Sequence, residues 1–245
     1  MNRSKKKPVS VPITPCSPVE NRLLAALPEA ELQPLLPHLE LVSLTLGQVI
    51  YESGGQMSHV YFPTDSIISL LYLMENGATA EIGMTGFEGM VGIALFMGGQ
   101  TTPNRAVVQR AGNAYRMTAK ALQDEFVKGG TFQQLLLRFT QALITQISQT
   151  AVCNRLHSIE QQLCRWLLLS YDRLHSNKLA MTHNLIANLL GVRREGVTLA
   201  AKQLQERGVI SYVRGIILLL DRPKLEATAC ECYQVVKTEY DRLLG

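Results

Sequence analysis

The chain has 245 residues, 47% of them hydrophobic and 18% charged, enough for one large domain or two modest ones around a buried core. No apolar run approaches the roughly 18 residues of a membrane-spanning helix, and the basic opening "MNRSKKKPVSVPITPCSP" lacks the apolar segment of a secretory signal, so a cytoplasmic protein is expected. The formal charge of +4 permits nucleic-acid binding without arguing for it, because distribution decides more than total.

Residues 1–19 hold four of the ten prolines together with Arg3, Lys5, Lys6 and Lys7, and predict a flexible basic arm. Residues 20–38 read as short helices broken by Pro28, Pro34 and Pro37. Between about 40 and 118 short β-type runs recur: "LVSLTL", "QVIYE", "VYFP", "SIISLLYL", "TAEIGM", "RAVVQ" and "NAYRMT". Glycine-rich turn signals separate them, a pattern that predicts a sandwich or barrel of antiparallel strands. A short helix is expected over 119–127.

From 131 to 156 the chain carries neither glycine nor proline, and the spacing predicts a helix of about 24 residues, roughly 36 Å long. It shows two apolar stripes. Leu136, Phe139, Leu143, Ile147 and Thr150 form one, and Leu137, Ile144 and Ala151 the other. Two stripes call for two partners: the β-domain and a second copy of the chain. Residues 158–175 continue the helical pattern, and "HSNKLAM" closes it.

Thr182 is a suitable N-cap for "HNLIANLLG". Ala187, Gly191 and Val197 supply the small residue, the left-handed turn and the apolar anchor that a helix-turn-helix needs sterically. "VISYV" and "GIILLL" flank Arg214–Gly215 as a β-ribbon directly after the second helix, which makes a winged helix-turn-helix. From Lys178 to Arg222 there are seven basic residues (Lys178, Arg193, Arg194, Lys202, Arg207, Arg214, Arg222) against three acidic ones (Glu195, Glu206, Asp221), a surplus equal to the formal charge of the whole chain. The N-terminal end of the second helix would lead into the major groove, with Arg193, Arg194, Glu195 and Thr198 nearest the bases. Thr182, His183, Lys202 and Arg214 complete the expected DNA-contacting set, Lys202 on phosphate.

The segment "LLGVRREGV" after Thr182 resembles the recognition-helix motif G-x-x-R-E-x-V of the Crp–Fnr family of bacterial transcription regulators, and the resemblance runs over roughly 25–222. It implies an α+β fold: an antiparallel, cupin-like jelly roll (a β-roll) as sensor domain over 20–130, a long dimerisation helix over 131–156, a winged helix-turn-helix over 157–222 and a helical tail over 223–245. On that match Arg194 and Glu195 take the base-reading positions, and Arg193 stands where the family often has a small capping residue. Leu199 stands where cyclic-AMP-responsive members carry a further DNA-contacting arginine. The implied partners are a palindromic double-stranded DNA operator, a second copy of the chain and RNA polymerase.

The sensor input departs from the family pattern. Cyclic-nucleotide-binding members have Gly-Glu and, about ten residues on, Arg-Ser or Arg-Thr. Here Gly92 is followed by Ile93, and Arg105 by Ala106, which removes the ribose-binding carboxylate and the hydroxyl residue. Gly92 and Arg105 stay as the candidate effector positions, and the departure argues against a cyclic nucleotide. An iron–sulfur cluster needs four thiolates, and Cys16 is the one cysteine in the N-terminal region. Haem stays open, with His38, His59 and Cys153 as ligand types. The expected cofactor set is empty and no metal-ligand spacing stands out.

Five scattered cysteines without a C-x-x-C pair fit a reducing compartment. Cys230 and Cys232 lie in "EATACECYQVVKTEYDRLL", a tail helical by pattern. Residues two apart on a helix point about 200° apart, so one buried and one exposed thiol is expected rather than a disulfide. No catalytic triad or phosphate loop is recognisable, and an enzyme is not expected. Two alternatives stand beside a signal-controlled regulator. One is a constitutive DNA binder whose β-roll senses nothing; the other is a cyclic-nucleotide-responsive regulator.

Overall fold

The computed structural model describes residues 16–174 and 176–245. The expected arm therefore lies, up to residue 15, outside the described residues. Helices α1 (Arg22–Ala25) and α2 (Glu29–Leu35) follow the proline-punctuated pattern. One detail differs: Pro34 lies inside α2 rather than ending it. It sits in the last turn, where the chain passes directly into a 3₁₀ turn at Leu36–His38 that needs no four-residue ladder.

All seven expected strands form: β1 (Glu40–Leu44), β2 (Val49–Tyr51), β3 (His59–Pro63), β4 (Ile67–Leu73), β5 (Thr79–Thr85), β6 (Arg105–Arg110) and β7 (Gly112–Thr118). They make two antiparallel sheets with orders β1-β7-β3 and β2-β6-β4-β5. Val60, Phe62, Ile68, Met84, Val108 and Met117 fill the core of this β-roll. Asn21 anchors the N-terminal helices to it, donating from Nδ2 to the carbonyls of Pro63 and Gly89 at 2.8 Å each.

Thr118 caps α3 (Ala119–Phe126) by accepting the Ala121 N–H. The long helix α4 spans Gly130–Leu156, 27 residues. Its two stripes part as the spacing requires: Leu136, Phe139 and Leu143 are buried, while Leu137, Ile144 and Ala151 face solvent together with Val152 and Leu156. His157 ends the helix, and a capping box of Ser158 and Gln161 starts α5 (Ile159–Tyr171). Helix α5 is buried from Gln162 to Tyr171, because the β-roll covers one side and the C-terminal elements the other.

Those elements are β8 (Lys178–Ala180), α6 (His183–Leu190), α7 (Arg194–Glu206), β9 (Ile210–Val213) and β10 (Ile216–Leu219), with the sheet order β8-β10-β9. Strand β8 is the addition to the expected ribbon. It falls in "HSNKLAM", three residues too short to show a period. The tail also differs from a single helix: α8 (Arg222–Thr228) and α9 (Glu231–Leu244) are separated by Ala229 and Cys230, both extended.

That break overturns the expectation for the two tail cysteines. Cys230 precedes α9 rather than lying on it, so the 200° rule does not apply, and both thiols are buried. Cys230 Sγ lies 3.5 Å from Cys153 Sγ, and Cys232 Sγ lies 3.6 Å from His157 Nδ1.

Polar bonds join the β-roll to the helices. Gln146 of α4 accepts the Met84 N–H at 2.8 Å and donates to Tyr240 Oη of α9 at 2.8 Å. Arg173 Nε donates to Glu88 Oε1 at 2.7 Å, both side chains less than a tenth exposed, and the guanidinium lies over the Tyr240 ring. Trp166 Nε1 of α5 donates to Glu81 Oε1 of β5 at 3.0 Å.

Burial raises the Glu81 carboxyl from its ordinary 4.5 to about 7, against the opposing pull of the Trp166 bond and of the Arg165 and Arg173 charges. The folded chain therefore keeps this proton in a window where the unfolded chain has lost it. Stability falls as pH rises from 4.5 to about 7 and is flat in this group above that, a loss of up to about 3 kcal/mol. Urea unfolding at about pH 5 and about pH 8 should show this decline in the wild type, and Glu81→Gln, which keeps an acceptor for Trp166, should remove most of it. Equal slopes in both proteins would assign the pH dependence to other groups.

Candidate nucleic-acid interface

The interface is built on α6 and α7. Thr182 accepts the Leu185 N–H at 3.2 Å and starts α6. Gly191 ends it with φ +67°, the left-handed value that lets the chain reverse within three residues. Ala187 and Val197 are buried where the helices meet, so the Ala–Gly–Val register does what its sterics require.

Gly196 has a role that its ordinary place in the sequence concealed. A Cβ there would lie 2.6 Å from Ile159 Cδ1, so the bare backbone of α7 packs directly against the tip of that α5 side chain. Val197, Ala200, Ala201 and Leu204 complete the buried face of α7. The opposite face presents Arg194, Glu195, Thr198, Leu199 and Lys202 to solvent, and Arg193 stands exposed at the N-cap. Its side chain makes no cap bond, so the guanidinium is free of the helix end. Lys202 makes an exposed i,i+4 pair with Glu206 at 3.6 Å, of a kind that gives little stability and yields readily to a phosphate.

His183 holds the first helix, the second helix and the ribbon together. Its ring stacks on Tyr212 of β9 at 4.1 Å between centroids, and its Nδ1 lies 3.1 Å from Thr198 Oγ1. Burial, and then the Arg194 charge, hold its pKa below the ordinary 6.5, which favours the neutral ring. His183 thus acts here as a positioning residue for Thr198. Tyr212 gave no signal in the sequence, since its role depends on a ring brought from α6. Arg214 sits at the ribbon turn with φ +51°, and the Gly215 carbonyl accepts the Met181 N–H at 2.7 Å, which sets the ribbon tip beside Thr182. The structure therefore gathers Thr182, His183, Arg193, Arg194, Glu195, Thr198, Lys202 and Arg214 on one module. On its other side the turn rests on the β-roll, where Thr79 Oγ1 donates to the Asn188 carbonyl at 3.3 Å.

The two candidate effector residues are not brought together in the same way. Gly92, at φ +111°, lines a cavity of about 330 Å³ between the β-roll and α4. Its walls are chiefly apolar: Met57, Leu70, Met90, Ile93, Met97, Leu143 and Ile147, with Tyr51, Thr102 and Asn104 as polar edges. Arg105 does not line it. Its Nη2 pairs with Glu52 Oε1 at 3.2 Å. His59 and Cys153 each have other neighbours, Ser58 Oγ at 2.8 Å and the tail cysteines respectively.

Residues 161–228 match a Crp-like helix-turn-helix domain. Solved structures with the same fold include a transcriptional regulator of the crp/fnr family from Eubacterium rectale, 17% identical with a TM-score of 0.65 over 84% of this chain and 96% of that one. They also include FixK2 from Bradyrhizobium japonicum, 16% identical with a TM-score of 0.66 over 78% and 98%. A third is a CRP/FNR-family transcriptional regulator from Thermus thermophilus, 21% identical with a TM-score of 0.60 over 78% and 98%. A comparison with curated protein sequences gives no match. Among the described residues, no helix is long and apolar enough to cross a membrane.

Proposed function

We propose that this chain, which matches a Crp-like helix-turn-helix domain and shares the fold of crp/fnr regulators, is a transcription regulator that reads DNA as a homodimer through the exposed face of α7. The observation that carries this is the division of α7 into a wholly apolar buried face and a face bearing Arg194, Glu195, Thr198 and Lys202. Arg194, first residue of the helix, reaches a guanine edge, and Glu195 accepts from cytosine. Leu199, 58% exposed on the same face, suits a thymine methyl. Arg193 and Lys202 hold phosphate, and the basic ribbon tip at Arg214 follows the backbone beside the groove.

Binding to sites selected from random DNA tests the reading. Arg194→Ala should lose about 1–3 kcal/mol and relax the preference at one base pair. Lys202→Ala should weaken all sequences alike and lower the salt slope by about one. Equal loss on selected and random DNA for Arg194→Ala would reject its role in base reading.

The dimer follows from α4. Leu137, Ile144, Val152 and Leu156 are 44–72% exposed along one helix that is otherwise well packed, and a second copy of the same helix covers them by symmetry. That arrangement presents two recognition helices about one DNA turn apart, matching a palindromic site. Ile144→Glu should shift sedimentation from dimer to monomer and cost at least about tenfold in DNA affinity while leaving the fold intact by circular dichroism. An unchanged dimer would remove α4 from the interface.

The signal enters at the cavity between the β-roll and α4. Its apolar lining and the engagement of Arg105 with Glu52 favour a small apolar effector over a cyclic nucleotide. Cyclic AMP should leave DNA affinity unchanged, with or without Arg105→Ala. A cyclic-AMP-induced shift that Arg105→Ala abolishes would instead make this a cyclic-nucleotide-responsive regulator.

A further inference from the structure

The break between α8 and α9 turns Cys230 inward to a place where four ligand-type side chains meet: Cys153, His157, Cys230 and Cys232. One ligand atom from each, three Sγ and an imidazole nitrogen, lie within 4.8 Å of one another. Cys153 and His157 are four apart at the end of α4, so both project from one side of its last turn. Cys230 and Cys232 flank Glu231 at the start of α9, and the extended backbone of Cys230 aims both sulfurs the same way.

The spacing matches one tetrahedral ion. Zinc–sulfur bonds of about 2.3 Å and zinc–nitrogen bonds of about 2.0 Å place neighbouring ligand atoms about 3.5–3.8 Å apart. Here Cys153 Sγ and Cys230 Sγ are 3.5 Å apart, Cys232 Sγ and His157 Nδ1 are 3.6 Å apart, and the remaining pairs fall within 4.8 Å, a span that closing on one ion would shorten. An iron–sulfur cluster is itself several bonds wide and would hold its thiolates farther apart.

The surroundings are also those of a metal-bound histidine. His157 turns Nδ1 toward the sulfurs and Nε2 toward Glu231 Oε2, 3.3 Å away. A carboxylate on the far ring nitrogen fixes the tautomer that leaves the near nitrogen free to ligate. Arg165 is 3% exposed and acts electrostatically on both Cys153 and Cys232. Its Nη1 donates to Thr150 Oγ1 at 3.1 Å, its Nε has no partner, and among the described residues no carboxylate lies within ion-pair distance of it. Its charge also reaches the Glu81 carboxyl, which burial keeps largely protonated up to about pH 7, so a nearer anion at the sulfur group would complete its neutralisation. Three thiolates around a divalent ion give a centre of net charge about −1, with the three thiol protons released to solvent.

We infer that Cys153, His157, Cys230 and Cys232 form a structural zinc site that joins the end of α4 to the start of α9. All four positions are protein ligands and the three cysteines are buried, so the site has no open position for catalysis. The site lies at the joint between α4 and α5, and a bound ion fixes the direction in which the chain leaves the long helix. The inference stands whether or not the chain binds DNA, since it uses no residue of the α7 face.

Cobalt chloride titrated anaerobically into the reduced, metal-stripped full-length protein tests it. The expected result is about one equivalent bound per chain, with the intense visible bands of tetrahedral cobalt, thiolate charge transfer in the near ultraviolet, and displacement of both by zinc. Glu231→Gln should weaken binding about tenfold while leaving the spectrum tetrahedral. Cys230→Ser should abolish the thiolate-rich spectrum, and Cys164→Ser, at a buried cysteine outside the group, should keep it. Circular dichroism of each variant confirms that the comparison is between folded proteins. A folded wild type that develops no tetrahedral spectrum would overturn the site, as would a spectrum unchanged in Cys230→Ser. Recovery of a Cys153–Cys230 disulfide from freshly purified protein in place of bound metal would also overturn it, in favour of a thiol switch.

Discussion

The guanidinium of Arg173 is the constraint on which the arrangement of domains depends. A buried cation without a partner is among the most costly features a fold can carry, and loss of one member of such a pair typically costs about 3–5 kcal/mol. Arg173 meets that demand with Glu88 from the β-roll and the Tyr240 ring from α9, and its Nη1 returns to the Leu169 carbonyl of α5. Gly86 lets the β-roll approach, since a Cβ there would lie 2.8 Å from Arg173 Cβ. One side chain therefore fixes α5 against the β-roll and the tail against both. Gln146 repeats the arrangement from α4, bonded to Met84 on one side and Tyr240 on the other.

Helix α7 inherits its position from this assembly. Helix α7 closes on α5 through Gly196 and Ile159, and α6 rests on β5 through Thr79 and Asn188. Leu143 and Ile147, which line the cavity, lie on α4, and α4 reaches α5 through the short joint at His157–Ser158. Cavity and α7 are thus linked by a run of packed elements with one joint in it.

What the sequence disclosed and what it withheld divide along a physical line. The seven strands were legible because each is a short β-type run between turn residues, and the helix-turn-helix because Thr182, Gly191 and Val197 are each required locally. The exposed stripe of α4 was legible because a helix of that length repeats its pattern many times. Strand β8 was not, since three residues show no period. Tyr212 and Gly196 were not, because their meaning lies in His183 and Ile159, which chain folding alone brings near. The tail cysteines misled for a definite reason: the rule applied to them presumes a continuous helix, and Ala229–Cys230 interrupts it. A signal did exist in the paired spacings C-x-x-x-H and C-x-C, but 72 residues of intervening chain separate His157 from Cys230.

Helix α9 begins beside the sulfur group and runs back along α4 until Tyr240 reaches Arg173 and Gln146. It is the last of the described elements to leave the ribosome. The β-roll and α5 precede it in the chain, and their buried residues belong to one continuous core with those of the helix-turn-helix. The arriving helix then closes over a junction whose two sides already exist. Trp166–Glu81 and Arg173–Glu88 already join α5 to the β-roll without it, so the arriving helix completes a junction that exists in outline and supplies the Tyr240 ring and hydroxyl that Arg173 and Gln146 would otherwise lack.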